Sequence, residues 1–196
     1  MFQEEYSMLA KAAENKSKFL KKNPVGYWVA AMLAGIYVGF GILLIFSAGG
    51  MISSQPYVKI IMGASFGIAL SLVVMAGAEL FTGNNLVMAG GMFSGTVTLG
   101  EAVKLWVVCL LGNWAGSILL ALIFWGAGLA KGPVGEFMAN AAAAKNGNPL
   151  HSSLFQSGTL QHLSLSCYLV QLPLQIRERK INHGVLVSFC VYNKRL

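Results

Sequence analysis

The sequence predicts an all-α membrane protein whose second membrane helix is broken part-way across the bilayer, and three observations predict it. Of the 196 residues, 56% are hydrophobic and only 11% charged, with a mean hydropathy of +0.63, whereas a soluble domain carries about 25% charged residues. Three apolar stretches, Tyr27 to Ala48, Val58 to Gly77 and Leu105 to Leu129, each approach or exceed the ~20 residues that cross a ~30 Å hydrocarbon layer as a helix. At the end of the second stretch, Ala76-Gly77-Ala78-Glu79-Leu80-Phe81-Thr82-Gly83-Asn84-Asn85 sets a carboxylate and a polar, glycine-containing break inside apolar sequence. Non-helical backbone at membrane depth persists only where protein or a water-filled cavity satisfies its N–H and C=O groups, so the break predicts a pore.

Taken in order, residues 1–22 place Tyr6, Leu9, Ala10, Ala13 and Phe19 near helical spacing, with Lys11, Lys16, Lys18, Lys21 and Lys22 between them. That pattern suits a cytoplasmic amphipathic helix at the membrane surface. Asn23-Pro24 ends it, because proline disfavours helical geometry in the residue before it, and the first span begins at Val25 or Gly26. No apolar leader precedes this span, which is therefore expected to act as its own insertion signal. Five lysines precede it and the connection Met51 to Tyr57 carries no charge, so the positive-inside rule places the N-terminus in the cytoplasm.

The sequence divides into an amphipathic leader (1–22) and three spans (23–130), with the broken helix at about 78–92. An external loop with the start of a fourth helix follows (131–160), then a tail (161–196). Small residues four apart, in Gly35-Ile-Tyr-Val-Gly39, Gly63-Ala-Ser-Phe-Gly67 and Gly112-Asn-Trp-Ala-Gly116, predict close helix packing. Tyr27, Trp28, Phe124 and Trp125 stand where interfacial aromatic anchors are expected.

Composition excludes several functions. The net charge of +7 is concentrated in the N-terminal segment and the C-terminal tail, so it reads as membrane topology and not as nucleic-acid binding. Cys109, Cys167 and Cys190 show no metal-ligand spacing. No nucleophile–base pair, phosphate loop or metal cluster is present, so neither an enzyme nor a cofactor is expected.

The break also carries a family signature. Ala78-Glu79-Leu80-Phe81-Thr82-Gly83-Asn84 resembles the motif of the formate/nitrite transporter family, with its hydrosulfide-channel branch close by. Asn23-Pro24-Val25-Gly26-Tyr27-Trp28, Gly39-Phe40-Gly41-Ile42, Gly63-Ala64-Ser65-Phe66-Gly67-Ile68 and Leu111-Gly112-Asn113-Trp114-Ala115-Gly116 agree in order. The resemblance covers roughly residues 1–160. It implies a homopentamer in the inner or plasma membrane, built of six-span, aquaporin-like protomers, each with a pore for a small monovalent anion such as formate, nitrite or hydrosulfide. Two inverted repeats of three helices build that fold, and this chain carries the first.

The resemblance further assigns Phe66 and Leu70 to a cytoplasmic constriction, and Phe81 and Thr82 to the region of the central gate. Glu79, Gly83 and Asn84 would structure the loop, and Lys145 resembles a lysine that draws anions toward the pore. Residue chemistry agrees. Phe66 and Leu70, four apart, share a helix face and can form an apolar collar. A threonine hydroxyl can donate to an anion as its water is stripped, and a half-helix beginning after Gly83 would direct its positive end there. An ionised Glu79 at membrane depth costs about 2.5–3.5 kcal/mol on insertion scales, so it must be neutral, paired or at the interface. A structural acceptor for loop N–H groups is the favoured role over a proton relay.

The resemblance stops near residue 160. Phe155-Gln156-Ser157-Gly158-Thr159-Leu160 matches the opening of the family's fourth helix, and then Gln161-His162 replaces Cys-Asn. All three arginines, Arg177, Arg179 and Arg195, lie in the last 36 residues, where no 20-residue apolar span can be drawn. Permitted codons for Leu160 to Val170, read one base later, spell Cys-Asn-Ile-Leu-Val-Cys-Leu-Ala-Ile-Trp, which resembles that fourth helix. The tail therefore reads as out of frame, and the chain as a truncated member without the second repeat. The family's Glu-His-Ser-x-Ala-Asn motif, linked to proton-coupled passage, has no counterpart at His151, His162 or His183. Two expectations follow: a proton-linked anion channel or transporter, and a transport-inactive fragment of one.

Overall fold

A computed structural model describes residues 2–146. His151, the opening of the expected fourth helix, and the whole tail from Gln161 onward lie outside the described residues. Six helices follow in order: α1 (Phe2–Lys22), α2 (Pro24–Met51), α3 (Val58–Ala76), α4 (Phe81–Phe93), α5 (Leu99–Gly126) and α6 (Gly132–Asn146). No strand occurs among the described residues. Three of the helices, α2, α3 and α5, are long and apolar enough to cross a membrane.

Helix α1 begins with Glu4 and Glu5 and ends with Lys21 and Lys22, charges that complement its dipole. A single residue, Asn23, separates it from α2. The Asn23 Oδ1 accepts the Gly26 N–H at 2.8 Å, and Pro24 opens α2, where the missing proline N–H costs nothing. Leu9, Ala10, Ala13, Ser17 and Leu20 form the buried face of α1. That face lies on α4, with Leu9 over Gly90 and Ala13 over Gly91. The apolar face is thus shifted from the expected one, and it covers protein. Tyr6 is exposed, and Phe19 instead meets Tyr27 edge-on, with ring centroids 5.6 Å apart.

Helix α2 packs on both α3 and α5. Against α5 the contact is backbone on backbone: a Cβ on Gly35 would lie 2.0 Å from the Asn113 carbonyl oxygen, and one on Gly116 would lie 2.0 Å from that of Met32. Only glycine permits this approach. Gly63 and Gly67 on α3 have the same spacing, yet a Cβ on either would meet nothing within 4 Å. Helix α3 ends at Gly77, whose φ of 63° is the left-handed cap conformation. Helix α5 begins with a capping box, in which Thr98 and Glu101 satisfy each other's backbone N–H groups.

Two expectations are corrected here. Residues 132–146, expected as part of an external loop, form α6, because Pro133 suits a helix start and Ala141-Ala142-Ala143-Ala144 has high helix propensity. This helix returns to α2, with Val134 against Gly50 and Phe137 against Gly49 and Phe46. Tyr27, expected at the interface as an anchor, is fully buried in the core with Val87, Met88, Leu105 and Cys109.

Candidate functional site

The break in the second span runs from Gly77 to Leu80, and α4 begins at Phe81. The half-helix therefore starts before Gly83, not after it, and Phe81, Thr82 and Gly83 form its first turn. Within the break, the Ala78 N–H donates to the Val73 carbonyl at 3.0 Å and the Glu79 N–H to the Ala30 carbonyl at 3.1 Å. One side chain supplies most of the remaining polar partners. Asn113 of α5 accepts the Phe81 N–H at 2.9 Å on Oδ1, and its Nδ2 donates to the carbonyls of Glu79 and Ala31, each at 2.9 Å.

The carboxylate of Glu79 is buried and paired. Its Oε2 lies 2.5 Å from Lys16 Nζ and accepts from Asn84 Nδ2 at 3.0 Å. Lys16 comes from α1, so the amphipathic helix reaches into the broken span and neutralises its charge. Asn84 is 1% exposed. Its Nδ2 also lies 2.9 Å from the Tyr27 hydroxyl and 3.2 Å from Cys109 Sγ, and its carbonyl accepts the Trp106 indole N–H. The Cys109 thiol donates to the Glu79 carbonyl at 3.1 Å. No buried side-chain nitrogen or oxygen is left without a partner among the described residues, which is what low-dielectric surroundings require. The side chain of Glu79 takes a lysine and an amide, not the loop N–H groups expected for it.

The mouth of the half-helix differs. Among the described residues, the Thr82 hydroxyl and the N–H groups of Thr82 and Gly83 have no hydrogen-bond partner. Three donors thus remain at the positive end of a helix dipole, an arrangement suited to an anion. Phe81 and Thr82 are half-buried there. Phe66 and Leu70 sit apart on α3 and are also half-buried, with Phe66 against Gly41 of α2. Lys145 falls in the last turn of α6, and its side chain lies outside the described residues.

Residues 3–163 match the sequence profile described as "Formate/nitrite transporter". The chain belongs to the formate/nitrite transporter family. It is 41% identical over 130 residues to the nitrite transporter NirC of Salmonella typhimurium strain LT2, covering 65% of this chain and 48% of NirC. It is 29% identical over 120 residues to the formate channel FocA of Escherichia coli strain K12, covering 60% of this chain and 42% of FocA. A solved structure described as "FNT family ion channel" is 37% identical with a TM-score of 0.71, covering 76% of this chain and 59% of that one. The chain spans about half the length of the curated relatives it matches. The family consists of transporters and channels, and the fold is that of an all-helical membrane protein, as the sequence leads one to expect.

Four residues of the site escape sequence reasoning. Asn113 carries a signal, an amide inside an apolar span, which is uncommon unless the amide bonds across helices. Tyr27 and Cys109 carry none beyond an apolar context. Lys16 is one of five leader lysines, and nothing local separates it from its neighbours.

Proposed function

We propose that the chain contributes the first-repeat half of a proton-linked pore for a small monovalent anion, formate, nitrite or hydrosulfide, with nitrite the first to test. The observation that carries this reading is the set of unpartnered donors at Thr82 and Gly83, placed at the N-terminus of α4, after the four-residue break that follows the membrane-length helix α3. The 41% identity to NirC against 29% to FocA supports trying nitrite before formate. Phe66 and Leu70 supply the apolar collar and Phe81 the gate beside Thr82. Glu79, Gly83 and Asn84 hold the half-helix in place, and Lys145 draws anions in. The working assembly is a homopentamer in the inner or plasma membrane, with the N-terminus cytoplasmic.

Nitrite, formate and hydrosulfide fluxes into proteoliposomes test this. Thr82→Val, which keeps the shape and removes the hydroxyl, is expected to lower flux by about 10- to 100-fold, the worth of one hydrogen bond to a charged group. Undiminished flux in Thr82→Val rejects the site.

A second reading, a transport-inactive fragment with an out-of-frame tail, is favoured by the end of the family match at residue 163 of 196. Sequencing the gene through the codons for Phe155 to Leu196 decides it. Codons that spell the fourth helix one base later support this reading, and their absence rejects it.

A further inference from the structure

The C-terminal end of α1 and the N-terminal ends of α2 and α5 meet around an open groove of about 480 Å³. Its floor is apolar, made by Leu20, Val25, Trp28 and Val108, and two cations, Lys21 and Lys104, stand over it. Val25 is 72% exposed. Lys21 pairs with Glu101, so its charge is already partly answered. Lys104 is exposed and has no ion-pair or hydrogen-bond partner among the described residues. The Trp28 indole N–H is likewise without a partner there.

We propose that this groove binds the headgroup and upper acyl chain of an anionic phospholipid. The placement fits that occupant. The groove lies where the lysine-bearing helix gives way to two membrane spans, the level at which phosphates and the first methylenes of a leaflet sit. Basic pockets between membrane helices bind acidic headgroups by this combination of charge and apolar wall. Lys104 takes the phosphate, the indole N–H donates to an ester or phosphate oxygen, and the acyl chain covers Val25 and Val108. Free phosphate would meet the lysine but leave the apolar floor in water. A zwitterionic lipid would cover the floor but bring its own cation beside Lys104. Lipid binding in this groove does not depend on which anion the pore conducts.

The test uses the purified full chain in a neutral detergent. Native mass spectrometry and thermal unfolding are followed with dioleoyl phosphatidylglycerol, dioleoyl phosphatidylcholine, or inorganic phosphate. Phosphatidylglycerol is expected to be retained and to raise the unfolding midpoint, and the other two are not. Lys104→Gln is expected to weaken phosphatidylglycerol about fivefold, the effect of one basic residue near an anionic surface. Val108→Trp, which fills the groove, is expected to weaken it as well. Lys59→Gln, an exposed lysine on α3 away from the groove, is expected to bind as the parent does. Equal retention of phosphatidylcholine, a shift reproduced by inorganic phosphate, or unchanged phosphatidylglycerol binding in Lys104→Gln would each overturn the proposal. Lys104 makes no described contact on which folding depends, so that variant keeps the test decisive even if Val108→Trp misfolds.

Discussion

The seam between α2 and α5 and the outer face of α3 use the same sequence device and do opposite things with it. In the seam, Gly35 and Gly116 bring two backbones within a methyl group's reach, and Asn113, beside them, crosses to hold the broken helix. On α3, Gly63 and Gly67 face open space. Small-residue spacing therefore marks a helix able to receive a neighbour closely, and the neighbour itself is fixed by the rest of the fold. The polar break is held from the seam side by Asn113, Cys109 and Tyr27 and from the leader by Lys16. The α3 face is left for whatever lies beyond this chain's described residues, whether lipid or protein.

Substitution can break this contrast. Gly116→Val is expected to have the largest effect, because its Cβ would sit 2.0 Å from the Met32 carbonyl oxygen and the obstacle is backbone. The cost exceeds the ~1–3 kcal/mol of ordinary overpacking, and no monodisperse folded protein is expected in detergent size-exclusion chromatography.

Lys16→Met comes next. It strands the buried Glu79 carboxylate, at a cost of about 3–5 kcal/mol for a broken buried ion pair. The double variant Lys16→Met/Glu79→Gln is expected to recover most of that loss in thermal unfolding. A double variant as unstable as the single one would show that Lys16 acts through packing and not through charge.

The smallest effect is expected on the open face. Gly63→Ala with Gly67→Ala meets no neighbour, and each removes a flexible residue from a helix interior, a gain of up to about 0.5–1 kcal/mol. An unchanged or raised unfolding midpoint sharpens the contrast. A lowered one would mean that a partner packs on this face, as Met32 does on Gly116.

Several parts of the fold are legible in the sequence because their causes are local. The spans follow from apolar length, the α1 stop from Asn23-Pro24, and the break from the clustering of Glu79, Gly83 and Asn84 in apolar sequence. Others are not. Helix α6 reads as a loop, despite Pro133 and the four alanines, because the segment has too little apolar length to register as a span. Tyr27 reads as an interfacial anchor from its place at the end of a span, yet it is buried with its hydroxyl on Asn84. An aromatic hydroxyl serves either role, and only a partner distinguishes them.

Sequence alone determined that this chain is a membrane protein of the formate/nitrite transporter family, with helices set by hydropathy and ended by proline, glycine and capping residues. Those terms act over one or two turns and are written in consecutive residues. Tertiary structure decided which lysine neutralises Glu79, 63 residues away. It also decided that Asn113, 32 residues beyond Phe81, holds the half-helix, and that two of three glycine pairs are closed while one is open. A buried charge or amide takes whichever partner the packing of distant helices brings within about 3 Å, and no local pattern encodes that distance.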